Sequence, residues 1–481
     1  MADQRMLQFV SVPRDMPEKR APNLRKQDFN EIYAEYAKAK AEEQAGRCSQ
    51  CGVPYCQSHC PLHNNIPDWL RLTANDRLQE AYEISQATNT FPEICGRICP
   101  QDRLCEGNCV IEQSGHGTVT IGSVEKYITD TAWEEGWVQP IAPSRERAEK
   151  VAVIGAGPGG LAAADVLRRK GIQVTVYDRY DRAGGLMMYG IPGFKLEKEI
   201  VQRRVDQLAD GGVAFVLNCN VGEDISFEQI REENDAVLIA TGVYKSRDLK
   251  GPGAGAEGIV RAIDYLTASN KVSLGDTVAE FDSGELNAKD KKVVVIGGGD
   301  TAMDCVRTAI RQGATSVKCL YRRDKANMPG SQRETQNAEE EGVEFVWLSA
   351  PKGFADKDGH VAGVMVQKMR LGQPDASGRQ SPEVIEGADY VEDADLVVKA
   401  LGFEPEDLPG LWGQPELEVT RWGTVKADFR SHETSMPGVY AVGDIVRGAS
   451  LVVWAIRDGR EAADAILARL DESAAASVAA E

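Results

Sequence analysis

The stretch KVAVIGAGPGGLAAADVLRRKG (150–171) decides the fold. A short run of mostly β-branched and apolar residues leads straight into a Gly-x-Gly-x-x-Gly turn (Gly155, Gly157, Gly160). The turn opens an amphipathic pattern that stops at Gly171. That order is strand, tight turn, helix. The first glycine permits the turn, the second lets backbone approach a pyrophosphate, and the third packs helix against strand. The free N–H groups of the helix N-terminus then face the phosphates. In a chain with 47 glycines the motif alone would be weak, so context has to decide. KVVVIGGGDTAMDCVRTAIRQG (292–313) aligns on the first stretch without a gap, at a constant offset of 142 residues. Gly297, Gly299 and Ala302 take the three glycine places, Asp300 and Thr301 lie between them, and Gly313 ends the helix as Gly171 does. Each copy continues into a second strand, QVTVYD or SVKCLY. Two βαβ dinucleotide-binding units are expected.

The ends of those second strands separate the two sites. Asp178, 23 residues after Gly155, stands where a carboxylate accepts from an adenosine ribose hydroxyl. The second copy has Arg322 and Arg323 there, and guanidinium groups suit a 2′-phosphate. The rival for the arginines is a solvated charge pair near Asp324. One flavin dinucleotide site and one NADPH site follow. Near the C-terminus, VYAVGD gives a short strand and then Gly443-Asp444. An Asp there can accept from ribityl hydroxyls, and the next helix, starting near Ala449 to Val452, can face the pyrimidine edge of a flavin.

The chain has 481 residues and a mass of 52.3 kDa. A single core stops growing at roughly 250–300 residues, so two or three domains are expected. A net charge of −19 and pI near 4.9 argue against a nucleic-acid partner. No apolar run approaches the roughly 18 residues of a membrane helix, and the N-terminus lacks a signal-peptide core. The expectation is a cytoplasmic protein. Residues 30–46 and 76–86 read as helices, 137–150 as a linker, 251–258 as a glycine-rich break, and SAAASVAAE at the end as a frayed tail.

Eight of the 11 cysteines lie between positions 48 and 109. Their spacing is C-x2-C-x4-C-x3-C-P (Cys48, Cys51, Cys56, Cys60), then C-x3-C-P-x4-C-x3-C (Cys95, Cys99, Cys105, Cys109). Metal is the expectation for a cytosolic chain of this size. Cys-Pro dipeptides mark ferredoxin-type runs in which one segment lends a ligand to the other's cluster. Two four-thiolate zinc sites would also use all eight, but a redox-inert ion has little use beside a flavin and a nicotinamide. His59 and His63 need no ligand role.

Taken in order, CSQCGVPYCQSHCPLHNNIPDW, ICGRICPQDRLCEGNCV, VAVIGAGPGGLAAA, GGLMMYGIPGFKL, VIGGGDTAMDC, YRRD and YAVGD resemble the small (β) subunits of bacterial NADPH-dependent glutamate synthases, over nearly the whole chain. The same module occurs in dihydropyrimidine dehydrogenase and in relatives of ferredoxin:NADP+ oxidoreductase. The resemblance implies an α/β fold: two Rossmann-like dinucleotide-binding domains preceded by an α-helical iron–sulfur domain. The expected division is 1–149 for the helical domain with two [4Fe–4S] clusters and linker, 150–255 plus 403–481 for FAD, and 256–402 for NADPH. It implies Cys48, Cys51, Cys56 and Cys109 for one cluster. Cys60, Cys99 and Cys105 would hold the other, with Glu125 (Gln in relatives) as fourth ligand and Cys95 left over. A simpler scheme would group Cys95, Cys99, Cys105 and Cys109. The resemblance also assigns Gly184, Gly185 and Leu186 to the flavin pocket. It places the segment Ala400–Phe403, with Ala400 and Gly402, where nicotinamide meets flavin. Where some relatives carry a further phosphate-binding Arg, the loop here reads ANMPGSQRE and leaves Arg333 in question.

The expected activity is an NADPH-dependent flavin/iron–sulfur oxidoreductase. It would be the electron-input subunit for a large (alpha) FMN-containing subunit in glutamate biosynthesis. A ferredoxin:NADP+ oxidoreductase, or a related flavoprotein with another partner, is the alternative. The cofactors carry the chemistry, so no nucleophilic triad is required. A disulfide reductase would need a cysteine pair at the flavin, and Cys219, Cys305 and Cys319 are isolated in sequence.

Overall fold

The computed structural model describes residues 5–375 and 380–480. Two five-stranded parallel sheets carry the architecture. The first runs Val439–Ala441, Ala236–Ile239, Lys150–Ile154, Gln173–Tyr177, Ala214–Val216. The second repeats that arrangement with Ile259–Arg261, Leu396–Lys399, Lys292–Ile296, Ser316–Leu320 and Glu344–Val346. In each, the first strand of the repeat lies centrally and its four last residues are buried, as parallel strands covered on both faces must be. The crossover helices Pro158–Arg169 and Asp300–Arg311 occupy equivalent places, and the terminating Gly171 and Gly313 share a φ of +85°.

The chain leaves the first sheet and returns to it through a two-stranded antiparallel ladder, Lys245–Ser246 with Phe403–Glu404. Between those crossings the second α/β unit also carries an antiparallel sheet built on the hairpin of Ser349–Lys357 and His360–Pro374. The long C-terminal helix Val452–Ala480 lies on Pro158–Arg169. Gly459 permits the close approach: a Cβ there would stand 2.1 Å from the Gly159 carbonyl oxygen. The alanine-rich end, which composition marks as frayed, is helical as far as Ala480. Glu481 lies outside the described residues.

The N-terminal part is helical and has its own core, with Ile66, Trp69, Leu70, Val124 and Ile128 at its centre. The helix expected over 76–86 spans Leu78–Thr88, whereas the one expected over 30–46 begins only at Lys38. Residues ahead of it are extended because they are held from a distance. Tyr33 bridges to Lys19, and the Tyr36 hydroxyl donates to the Asp15 carbonyl at 2.6 Å and lies 2.9 Å from the Thr120 hydroxyl. Residues 137–149 contain no helix or strand. The helical part is fastened to the first α/β unit by ion pairs: Glu93 takes both arms of buried Arg204, and Asp130, held within the helical part by Arg97, pairs with half-buried Arg203.

Candidate cofactor and cluster sites

The first glycine-rich turn lines a cavity of about 300 Å³ together with Asp178, Gly443 and Asp444. Gly155 has φ +110°, and a Cβ there would lie 2.4 Å from the Ala240 carbonyl oxygen. Gly297 repeats this with φ +150° and 2.3 Å to the Ala400 oxygen. At the second glycine, Gly157 or Gly299, a Cβ would meet nothing within 4 Å. That open space beside a helix N-terminus is what a pyrophosphate needs. At Gly160 a Cβ would fall 2.0 Å from the Gly155 oxygen, whereas Ala302 fills the corresponding place in the second turn and is fully buried. Gly155→Ala combines a forbidden φ with a backbone clash. It is expected to destabilise the chain by about 2 kcal/mol or more and to lower bound flavin, read by denaturant unfolding and flavin content.

Asp178 accepts from the Ala156 N–H at 2.7 Å on Oδ2 and from the Tyr180 N–H at 2.9 Å on Oδ1. Burial pushes its carboxyl above the usual range. Each oxygen keeps a second lone pair for a ribose hydroxyl. Burial likewise pushes Asp444 up to about 6. Gly184 donates to the Ala156 carbonyl at 2.9 Å, which folds Gly184 and Gly185 over the turn. Leu186 reaches the cavity wall. The sequence had not singled out Tyr244 and Arg179, although both line the cavity. Glu406 pairs with Arg179, whose guanidinium carbon lies 5.2 Å from the Tyr244 ring centroid.

In the nucleotide unit, Arg322 is exposed and Arg323 half-buried, and neither forms an ion pair among the described residues. The Nε of Arg323 is buried without a partner. Asp324 does not neutralise them: its Oδ1 accepts from the Asn327 backbone and side chain. Two unpaired guanidinium groups at the strand end fit a 2′-phosphate. Arg333 lies elsewhere. It donates to Gln101 Oε1 at 2.9 Å and contacts Glu106 at 3.4 Å, both in the helical part. Ala400 and Gly402 follow the strand Leu396–Lys399, where the Ala400 carbonyl backs Gly297. Neither is among the residues lining the cavity between the three parts.

That junction cavity, about 250 Å³, is lined by Asp300, Thr301, Lys195 and Asp304 on one side. Leu186 and residues 450–452 line both it and the cavity of the first glycine-rich turn. Cys99, Gln101 and Val453 line both it and a smaller cavity that also holds Cys60, Cys95, Cys105 and Glu125. Ile121 separates this from a further cavity enclosed by Cys48, Cys51, Cys56 and Cys109. Thus Cys109 is brought to the first cysteine run, and the simpler grouping of Cys95, Cys99, Cys105 and Cys109 is not formed. Glu125 and Cys95 both reach the second cavity. Glu125 Oε1 accepts from Asn64 and Asn89, and burial raises its carboxyl to about 8.

Burial pushes the Cys48 thiol up to about 11 and those of Cys56 and Cys60 to about 12. Such thiols become thiolates only against a strongly positive centre. Among the described residues no three His, Cys, Asp or Glu side chains are gathered closely enough to hold a single metal ion. Thiols spread around a cavity suit a polynuclear cluster instead. All eleven cysteines are free. Cys305 and Cys319 are buried in the core of the second α/β unit, whereas Cys219 lines the cavity of the first glycine-rich turn.

Comparison with known proteins agrees with this arrangement. Residues 25–137 match the family model described as dihydropyrimidine dehydrogenase domain II, 4Fe-4S cluster, and residues 149–459 match pyridine nucleotide-disulphide oxidoreductase. The chain is 67% identical over 479 residues to the glutamate synthase [NADPH] small chain of Azospirillum brasilense, covering 100% of this chain and 99% of that one. It is 45% identical to the Escherichia coli (strain K12) glutamate synthase [NADPH] small chain, covering 96% and 98%. The solved structure of Mycobacterium tuberculosis FprA in complex with NADPH shares the fold, with a TM-score of 0.58 and 20% identity over 69% of this chain and 86% of that one. No described helix is long and apolar enough to cross a membrane. Full-length identity, the cluster domain and the paired dinucleotide turns together show that the chain belongs to the glutamate synthase [NADPH] small-chain family, NADPH-dependent electron-input oxidoreductases with FAD and [4Fe–4S] clusters.

Proposed function

We propose that this chain feeds electrons from NADPH to a large, FMN-containing glutamate synthase subunit in the cytoplasm, where glutamine and 2-oxoglutarate become two glutamates. FAD supplies the change from a two-electron donor to one-electron carriers. The protein supplies order. The observation that carries the reading is the unbroken series of cavities, each sharing wall residues with the next: flavin cavity, junction, Cys60–Cys99–Cys105 cavity, Cys48–Cys51–Cys56–Cys109 cavity. Gly155, Gly157 and Asp178 would seat FAD, with Asp444 at the ribityl chain. Gly297, Gly299 and Thr301 would seat the NADPH pyrophosphate, and Arg322 and Arg323 its 2′-phosphate. Seven cysteines would ligate two clusters, with Glu125 as the eighth ligand. The proposed domains are 1–149, 150–255 with 403–481, and 256–402, and no nucleic acid or membrane takes part.

The test is reconstitution with the large subunit. NADPH oxidation that depends on glutamine and 2-oxoglutarate is expected only when both chains are present. Oxidation indifferent to glutamine in the complex, alongside efficient transfer to ferredoxin, would point to the ferredoxin:NADP+ oxidoreductase alternative.

A further inference from the structure

Two chain crossings join the flavin and nucleotide units, and they pair as the short ladder Lys245–Ser246 with Phe403–Glu404. Two crossings make a hinge, which by itself leaves the approach of one unit to the other unfixed. A buried contact between the units removes that freedom. Lys195, in the flavin unit's GIPGFKL segment, places Nζ 2.8 Å from Asp304 Oδ1 and 4.0 Å from Glu334, with all three side chains 13% exposed or less. Asp304 lies one turn into helix Asp300–Arg311, whose N-terminus is the pyrophosphate seat. The neighbouring Phe194, 1% exposed, packs against the same helix. The guanidinium carbons of Arg307 and Arg311 stand 4.3 and 4.0 Å from its ring centroid. Both arginines close on Glu341, as does Arg25 from the N-terminal segment.

We propose that Lys195, through its pair with Asp304, is a positioning residue that locks helix Asp300–Arg311 against the flavin unit in the geometry needed for hydride transfer. This rests on the NADPH-to-FAD reading above. The physical ground is burial. Removing one partner of a buried pair strands the other charge, so the pair resists separation. The other pairs spanning these units among the described residues, Arg182 with Asp276, Lys271 with Asp181 and Lys399 with Asp248, each have at least one partner more than a quarter exposed and are more readily screened. Lys195, Phe194 and Asp304 all line the junction cavity, as does Leu186 from the flavin side. A shift of the helix therefore changes the space where the two rings meet. The nucleotide's own contacts lie within its unit and would be spared.

The experiment compares FAD-loaded full-length chain carrying Lys195→Met, Asp304→Asn or the charge exchange Lys195→Asp with Asp304→Lys. Three quantities are read: the rate of flavin bleaching by NADPH, the Kd for NADP+, and hydrogen exchange along the chain. Misplacement of about 1 Å costs roughly 10²-fold in rate. Each single variant is thus expected to slow bleaching about 10- to 100-fold while the Kd for NADP+ moves less than about threefold. Exchange should rise in 193–198 and 300–311 but stay unchanged in strands Lys292–Ile296 and Ser316–Leu320. The charge exchange should recover about tenfold of the rate. Bleaching and exchange both unchanged in Lys195→Met would overturn the proposal. So would a Kd that weakens in step with the rate, which marks a plain nucleotide ligand, or exchange rising throughout the chain. If NADPH fails to bleach the unaltered chain, the functional reading fails, and the exchange measurement still decides the lock.

Discussion

Replacing Arg322 and Arg323 together with Ala is expected to raise the KM for NADPH by roughly 10²-fold or more while leaving that for NADH within about threefold. A charge-assisted hydrogen bond is worth about 1.5–3 kcal/mol, and each 1.4 kcal/mol is tenfold. Among the described residues neither arginine forms an ion pair: Asp324 Oδ1 accepts from Asn327, and Arg323 Nε is buried without a partner. Truncation therefore breaks no ion pair among the described residues, and the loss reads directly on the 2′-phosphate. The chain's stability should hardly change. Steady-state kinetics with both nucleotides checks this. Equal losses for NADPH and NADH would remove the 2′-phosphate role.

Cys109→Ser is expected to remove one cluster and leave the other, lowering iron by about four atoms per chain. The residue is separated from the first cysteine run by some fifty positions, yet it faces Cys48, Cys51 and Cys56 across one cavity. Cys60, Cys99 and Cys105 stand on the other side of Ile121. Iron analysis and electron paramagnetic resonance of the complex, with flavin content as the check on folding, measure it. Unchanged iron, or loss of the Cys60–Cys99–Cys105 cluster instead, would contradict the crossed ligand scheme.

What the sequence made legible was local or repeated. The two turns could be recognised because glycine chemistry is decided within a few residues and because a second copy repeats it. The arginines at the end of SVKCLY stand out for the same reason. Features made by distant partners stayed hidden. Nothing in NEIYAEYAK announces that Tyr33 and Tyr36 are tied to Lys19, Asp15 and Thr120, so the helix looked longer than it is. The sequence leaves the role of Arg333 in question, because Gln101 and Glu106, which hold it, lie more than 220 positions away. Lys195 meets Asp304 across 109 positions, and no periodicity encodes such a contact. Gly459 did leave a signal, a glycine inside a strong helical pattern, which marks close packing.

On the proposed route, electrons leave the flavin through the clusters. The most direct test follows both exits in the Cys109→Ser complex. NADPH oxidation by a small dye acceptor, which draws from the flavin, is expected to stay within about threefold of the unaltered complex. Glutamine-dependent glutamate formation should fall at least 100-fold. Glutamate formation that persists at the dye-supported rate, in a complex shown to lack that cluster, would contradict it.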